Sequence, residues 1–271
     1  MPFRARFIWF ASLCFVFLSS CNKYEKLLKS SDVNTKLAKA NEYYDKKKYQ
    51  HANQLYESLM PVMKNTRNYE PLYYRYAYSF YHMKDYLSAS YHFKNFVEFF
   101  PNSKDAEEAE LMYGLSLYKA SPDYALDPTQ TIQALGALQN FASTHPDSKR
   151  LQEVNSYIDG LRNKLETKES EAAKLYYNIG QYRAASVAYR SVMENYPDSH
   201  RMDEYQYMVM KSLYLYARRS IKEKQEERFV NAINAYQSLL QEFPKSTYLP
   251  DAQKYYTLAD NNLKKLRNEH K

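Results

Sequence analysis

The chain has 271 residues, a formal charge of +7 and 30 tyrosines, enough for one elongated or two compact domains with a sizeable core. Its 4 glycines (Gly114, Gly136, Gly160 and Gly180) are nowhere spaced to cradle a phosphate, which excludes a dinucleotide fingerprint and a P-loop. Lys and Arg alternate with Glu and Asp, as in Lys222 to Arg228, so the positive charge reads as solvated helix faces rather than a nucleic-acid surface.

The first element is an address. Arg4 and Arg6 precede an apolar stretch from Phe7 to Leu18 that is too short to span a bilayer, and small residues follow, as in a signal peptide. Leu18-Ser19-Ser20-Cys21 resembles a bacterial lipobox, which implies acylation of Cys21. Several acyl chains, at about 0.8 kcal/mol per buried methylene, hold a water-soluble domain on a membrane. Only Cys14, inside the leader, accompanies Cys21, so the mature chain has no disulfide to form. By the lipobox resemblance, Asn22 rather than Asp after the cysteine directs the chain to the outer membrane. The absence of an acidic run in Lys23-Tyr24-Glu25-Lys26 leaves the body facing the periplasm. No cofactor beyond this covalent lipid is expected.

After the leader the chain repeats. Pro-x-Ser recurs at Pro101, Pro146, Pro197 and Pro244, each time after an aromatic residue or His. Upstream of each lies one register: Tyr86, Ala89, Phe93, Phe96; Thr131, Ala134, Leu138, Phe141; Tyr182, Ala185, Tyr189, Val192; Phe229, Ala232, Tyr236, Leu239. Tyr49, Ala52, Tyr56 and Leu59 form an earlier copy in which Lys64 stands where the proline would be. Offsets of 0, +3, +7 and +10 fall on one stripe of an α-helix, and the fixed alanine marks where a neighbouring helix comes close. Proline then ends the helix, and the serine starts a turn or caps the next one.

A partner helix precedes each stripe, most plainly Pro71 to Met83, with Tyr73, Tyr76, Ala77 and Phe80 on one face. These pairs resemble tetratricopeptide repeats of about 34 residues. Extra residues are expected at Ser121 to Thr131, at Arg218 to Glu227, and in one long helix from Arg150 to Tyr177. A last helix, Asp251 to Arg267, caps the end. The predicted fold class is an all-α solenoid of about five such repeats with a C-terminal capping helix. The expected divisions are a signal peptide over 1–20, a lipidated tether over 21–32, repeats one to three over 33–148, and the long helix, repeats four and five and the cap over 149–271.

In the tetratricopeptide register the first helix of each repeat lines a groove. That resemblance assigns to it Leu37, Asn41, Tyr44 and Asp45 of repeat one, Tyr74, Tyr78, Tyr81 and His82 of repeat two, and Leu111, Leu115, Tyr118 and Lys119 of repeat three. Such a groove suits an extended, aromatic-rich peptide; alternatively the tyrosines pack on a neighbouring helix. Enzyme readings lack residues. The six histidines form no i, i+4 pair and no HExxH, so no catalytic residue and no metal site is assigned.

The lipobox, the five repeats, Phe99 to Tyr118 and Lys174 to Ser199 together resemble the BamD family of outer-membrane assembly lipoproteins over essentially the whole chain. The resemblance implies a non-enzymatic scaffold that binds the barrel protein BamA through repeats four and five and works with other assembly subunits. It further implies that repeats one to three receive the aromatic-ending signal of unfolded outer-membrane proteins. The alternative is a lipid-anchored repeat scaffold of cell-envelope or cell-wall assembly. No nucleic-acid partner is expected.

Overall fold

A computed structural model describes residues 23–269, and every regular element among them is helical. After α1 (23–28) come α2 (Val33–Asp45), α3 (Tyr49–Met63), α4 (Tyr69–His82), α5 (Tyr86–Phe99), α6 (Ala106–Ala120), α7 (Thr129–Thr144), α8 (Leu151–Asn178), α9 (Tyr182–Asn195), α10 (Met202–Arg218), α11 (Lys222–Glu242) and α12 (Leu249–Glu269). Repeats one to five are the pairs from α2–α3 to α10–α11, and α12 packs on α11 and α10. The leader and Cys21 lie outside the described residues. No described helix is long and apolar enough to cross a membrane.

The repeated stripe is the core. Ala52, Ala89, Ala134, Ala185 and Ala232 are each fully buried, because a larger side chain there would push the paired helices apart. Phe93, Phe96, Phe141 and Phe229 follow on the same stripes, fully buried, each contributing about 1.5 to 3 kcal/mol by leaving water. Gly114 in α6 marks another close approach: a Cβ there would come within 2.6 Å of Leu138 Cδ2 in α7.

Two compact units are distinguished, each with its own cores. The first runs to Pro122 and includes Asp127–Leu161; the second is Asp123–Leu126 with Arg162–Lys271. The division falls inside α8 rather than before it, because Val154 and Leu161 belong to the same apolar cluster as Phe93 and Phe141. In the second unit, clusters around Tyr205 and Met210 and around Phe229 and Leu263 hold α8–α12 together. The loop 123–126 goes with this unit, its Tyr124 and Leu126 carbonyls accepting from Lys168 Nζ at 3.2 and 2.7 Å. The tether expected over 21–32 is in part a docked element. Tyr24, Leu27 and Leu28 of α1 pack on the cluster of Ala40, Leu55 and Tyr56, and Asp32 caps α2 by accepting from Thr35 N–H at 3.0 Å.

The turns explain the remaining pattern. Within repeats one, two and four, the first helix ends in the same Schellman motif, with Lys47 (φ 58°), Lys84 (φ 65°) and Gly180 (φ 80°) in the left-handed region. Only the third of these is the residue type that adopts such a φ freely. Between repeats, the serine of each Pro-x-Ser accepts a backbone N–H two residues on, but it also donates to a carboxylate of an earlier first helix. The pairs are Ser103 to Glu70 (2.6 Å), Ser148 to Glu107 (2.7 Å), Ser199 to Glu166 (2.6 Å) and Ser246 to Asp203 (2.7 Å). After α3, where the proline is missing, the helix still stops, at Lys64, with Asn65 at φ 68°.

Candidate functional site

The first unit presents a connected strip of aromatic and charged side chains along the first helices of its repeats. At one end Tyr44 (α2) lies 5.4 Å from Tyr49 and 6.0 Å from His82, and His82 stacks on Tyr49 at 4.3 Å. Arg75 (α4) sits over the Tyr44 ring at 5.2 Å while its Nη1 donates to Asp45 at 3.0 Å. Tyr78 lies 6.0 Å from His82 and meets Tyr74 edge to face at 4.9 Å. Its hydroxyl donates to Glu108 (α6) at 3.2 Å. Glu108 in turn pairs with Arg150 at 3.2 Å, and Arg150 Nε donates to Glu153 (α8) at 2.7 Å. Tyr157 closes the path, donating to Glu153 at 3.1 Å with its ring 4.6 Å from Tyr118 (α6).

The tyrosine rings are half-buried, while His82 is the more exposed ring of the strip. Tyr74 packs 5.1 Å from Phe96, and Tyr78 meets Phe93 edge-on at 4.9 Å. Both sequence alternatives therefore describe part of the same residue: one ring face packs on the next helix and the rest stays open. Burial pushes the Tyr78 phenol far above its usual range, reinforced by the Tyr74 hydroxyl, and burial likewise raises Tyr44 and Tyr81. The phenols remain protonated donors at neutral pH. His82 is held down by burial and then by Lys47, which favours a neutral imidazole.

Not every expected residue reaches the strip. Leu111 and Leu115 are 1% and 6% exposed and belong to the core. Their assignment to an open groove is corrected, because the middle turns of α6, where Leu111, Met112, Gly114, Leu115, Ser116 and Leu117 are all buried, are enclosed by neighbouring helices while its charged residues lie towards the two ends. Leu37 is half-buried against the cluster around Ala40, and Asn41 accepts the hydroxyl of buried Tyr56 at 2.8 Å, so both are engaged beneath the surface. Lys119 is exposed, its Nζ 5.9 Å from the Tyr118 ring. Sequence reasoning missed Arg75, Glu108, Arg150, Glu153 and Tyr157. Arg150 and Glu153, three apart at a helix start, carried a readable signal; Glu108 carried none, since its partner Arg150 is 42 residues away.

The strip thus offers flat aromatic faces, hydroxyl donors, and charges of both signs already paired to each other. That chemistry fits an extended peptide lying across the helices, whose aromatic side chains find ring faces and whose polar groups exchange with the paired charges. Among the described residues no group of three or more His, Cys, Asp or Glu is placed to hold a metal ion.

Comparison with known proteins places the chain. A curated relative from Aquifex aeolicus (strain VF5), provisionally named outer membrane protein assembly factor BamD, is 28% identical over 148 residues, 55% of this chain. The match covers 48% of that protein, so the chain spans about half the length of this relative. Among solved structures, the TPR2AB domain of yeast Sti1 in its pHSP90 complex superposes with a TM-score of 0.40 at 12% identity, over 85% of this chain and 99% of that one. The TPR domain of P58(IPK) gives 0.42 at 17% identity, over 90% and 67%. The family model described as "YfiO: Outer membrane lipoprotein" matches residues 30–204, well over half of the sequence, and the chain belongs to that family of outer membrane lipoproteins.

Proposed function

We propose that the protein is a non-enzymatic subunit of the machinery that folds and inserts β-barrel proteins, held on the outer membrane by acylated Cys21 with its body in the periplasm. The strip from Tyr44 to Tyr157 receives unfolded barrel proteins, laying their aromatic-rich segments across α2, α4, α6 and the start of α8. The second unit binds a BamA-like barrel subunit, and further assembly subunits join the complex. No cofactor is required, since the work is positioning and release of a chain.

The observation that carries this reading is the strip itself, a tyrosine-rich surface on a lipoprotein of this family. The relative named as an assembly factor supports it. The test is a pull-down of the membrane-anchored protein in mild detergent followed by mass spectrometry. Recovery of a large barrel protein with repeated periplasmic domains is expected. Recovery of peptidoglycan or transport proteins alone refutes the assembly role and favours a cell-wall scaffold.

A further inference from the structure

The described chain enters the first unit at a basic end. Tyr24 of α1 packs 5.7 Å from Tyr43 and 4.4 Å from His51, and its hydroxyl donates to the His51 carbonyl at 3.0 Å and to Gln54 Oε1 at 2.8 Å. Residue 23 is thereby fixed beside the end of α2 and the start of α3. The turn between those helices is Lys46-Lys47-Lys48, all exposed, with Lys48 Nζ 6.0 Å from the Tyr43 ring. The following intra-repeat turn, brought alongside by the Tyr49–His82 stack, adds exposed Lys84.

The acids at this end are already engaged. Glu42 is shared by Lys39 and Lys46 at 2.6 and 2.7 Å, Asp45 is held by Arg75 at 3.0 Å, and Asp85 caps α5 by accepting from Ser88 N–H at 3.2 Å. Lys23, Lys26, Lys47 and Lys48 form no ion pair within 4 Å among the described residues. The uncompensated charge facing outward is therefore positive, and Cys21 lies two residues before Lys23, within about 7 Å by chain reach.

We propose that this end of the first unit is a headgroup-binding face that takes the phosphate anions of an acidic phospholipid, docking the first repeat on the membrane. The inference rests on the reading of Cys21 as the lipid anchor. A lysine held that near a membrane surface lies within about one Debye length, ~8 Å at physiological ionic strength, where each basic residue strengthens binding about fivefold. The acyl chains fix the chain to the bilayer, and the lysines choose which way the first repeat turns.

The test uses the mature chain with Cys21→Ser, so that no acyl chain contributes, and vesicles of phosphatidylcholine with or without phosphatidylglycerol. Tighter binding to the acidic vesicles is expected, weakening with salt. Lys47→Gln with Lys48→Gln is expected to lower partitioning onto them about 25-fold at unchanged helicity, while Lys104→Gln with Lys149→Gln changes it little. No preference for acidic vesicles, or equal loss in both pairs, overturns the inference. So does a Lys47/Lys48 variant that keeps vesicle binding but loses binding to polyglutamate, which would make the face a reader of acidic polypeptide. Mass spectrometry of the wild-type protein separates the two readings. Acylated Cys21 without lipid preference overturns the face alone, and unmodified Cys21 with the preference intact overturns the anchor alone.

Discussion

Ser199→Ala and Ser148→Ala delete the same atom from the same motif, yet the surroundings set different costs. Glu166 is 5% exposed, and its Oε1 accepts from both Ser199 and Tyr205 at 2.6 Å. Removing Ser199 Oγ leaves a buried carboxylate with one hydroxyl fewer, and a hydrogen bond to such a group contributes about 1.5 to 3 kcal/mol. The partner of Ser148, Glu107, is exposed, so water replaces the lost donor and the cost is about 0.5 kcal/mol. At about 2 to 4 °C per kcal/mol for a chain of this size, thermal unfolding followed by far-UV circular dichroism is expected to shift by about 6 °C for Ser199→Ala and about 1 to 2 °C for Ser148→Ala. Tyr205→Phe combined with Ser199→Ala should be non-additive, because both hydroxyls serve one oxygen. Equal shifts for the two serine variants refute the argument that burial of the acceptor sets the strength.

Two further outcomes follow from the turns and the buried rings. Lys84→Gly relieves a left-handed backbone at φ 65° and is expected to raise stability by about 0.5 to 1 kcal/mol, whereas Gly180→Ala lowers it by about 1 kcal/mol or more, since its new Cβ would also stand 2.7 Å from the Arg219 guanidinium. Urea midpoints for the two variants check both signs. His92, stacked 5.0 Å from Phe80 and 3.1 Å from the Tyr73 hydroxyl, is pushed down to about 4 by burial from an ordinary 6.5. Its neutral form is the folded one, so the stabilisation is complete above pH 6.5 and is lost as pH falls towards 4. Melting temperature against pH should show that loss, and His92→Gln should flatten it.

The repeat skeleton was legible because its signal is local and geometric. An alanine three residues after an aromatic or, in repeat three, after Thr131, then large apolar residues at +7 and +10, specifies a helix face together with the residue that allows close approach, and all five alanines are fully buried. The long helix was readable for the same reason, appearing as Leu151–Asn178 against an expected Arg150 to Tyr177. The faces of the first helices were less legible. Carrying the register of Tyr74 and Tyr78 over to Leu111 and Leu115 assumes that each first helix meets the same neighbours, and α6 does not. The serine clasps were invisible because donor and acceptor lie 33 to 43 residues apart, with nothing in either segment naming the other. Lys47 and Lys84 likewise conceal the left-handed turns that Gly180 advertises.

The clasps also govern where this chain tolerates insertion. Each clasped joint, Phe100–Asp105, His145–Arg150, Tyr196–Arg201 and Phe243–Tyr248, lies between helix ends with the same ladder of backbone bonds, so the serine meets its acid at a fixed reach. One added residue would carry the hydroxyl away from the carboxylate. The unclasped joint after α3 has a different length, and the connection inside repeat three runs over 121–128, longer than the hairpin turns of repeats one, two and four. The four clasped joints thus share one length of six residues while the unclasped joint and the hairpin connections do not, so the hydroxyl-to-carboxylate reach acts as a spacer that sets the distance between successive repeats.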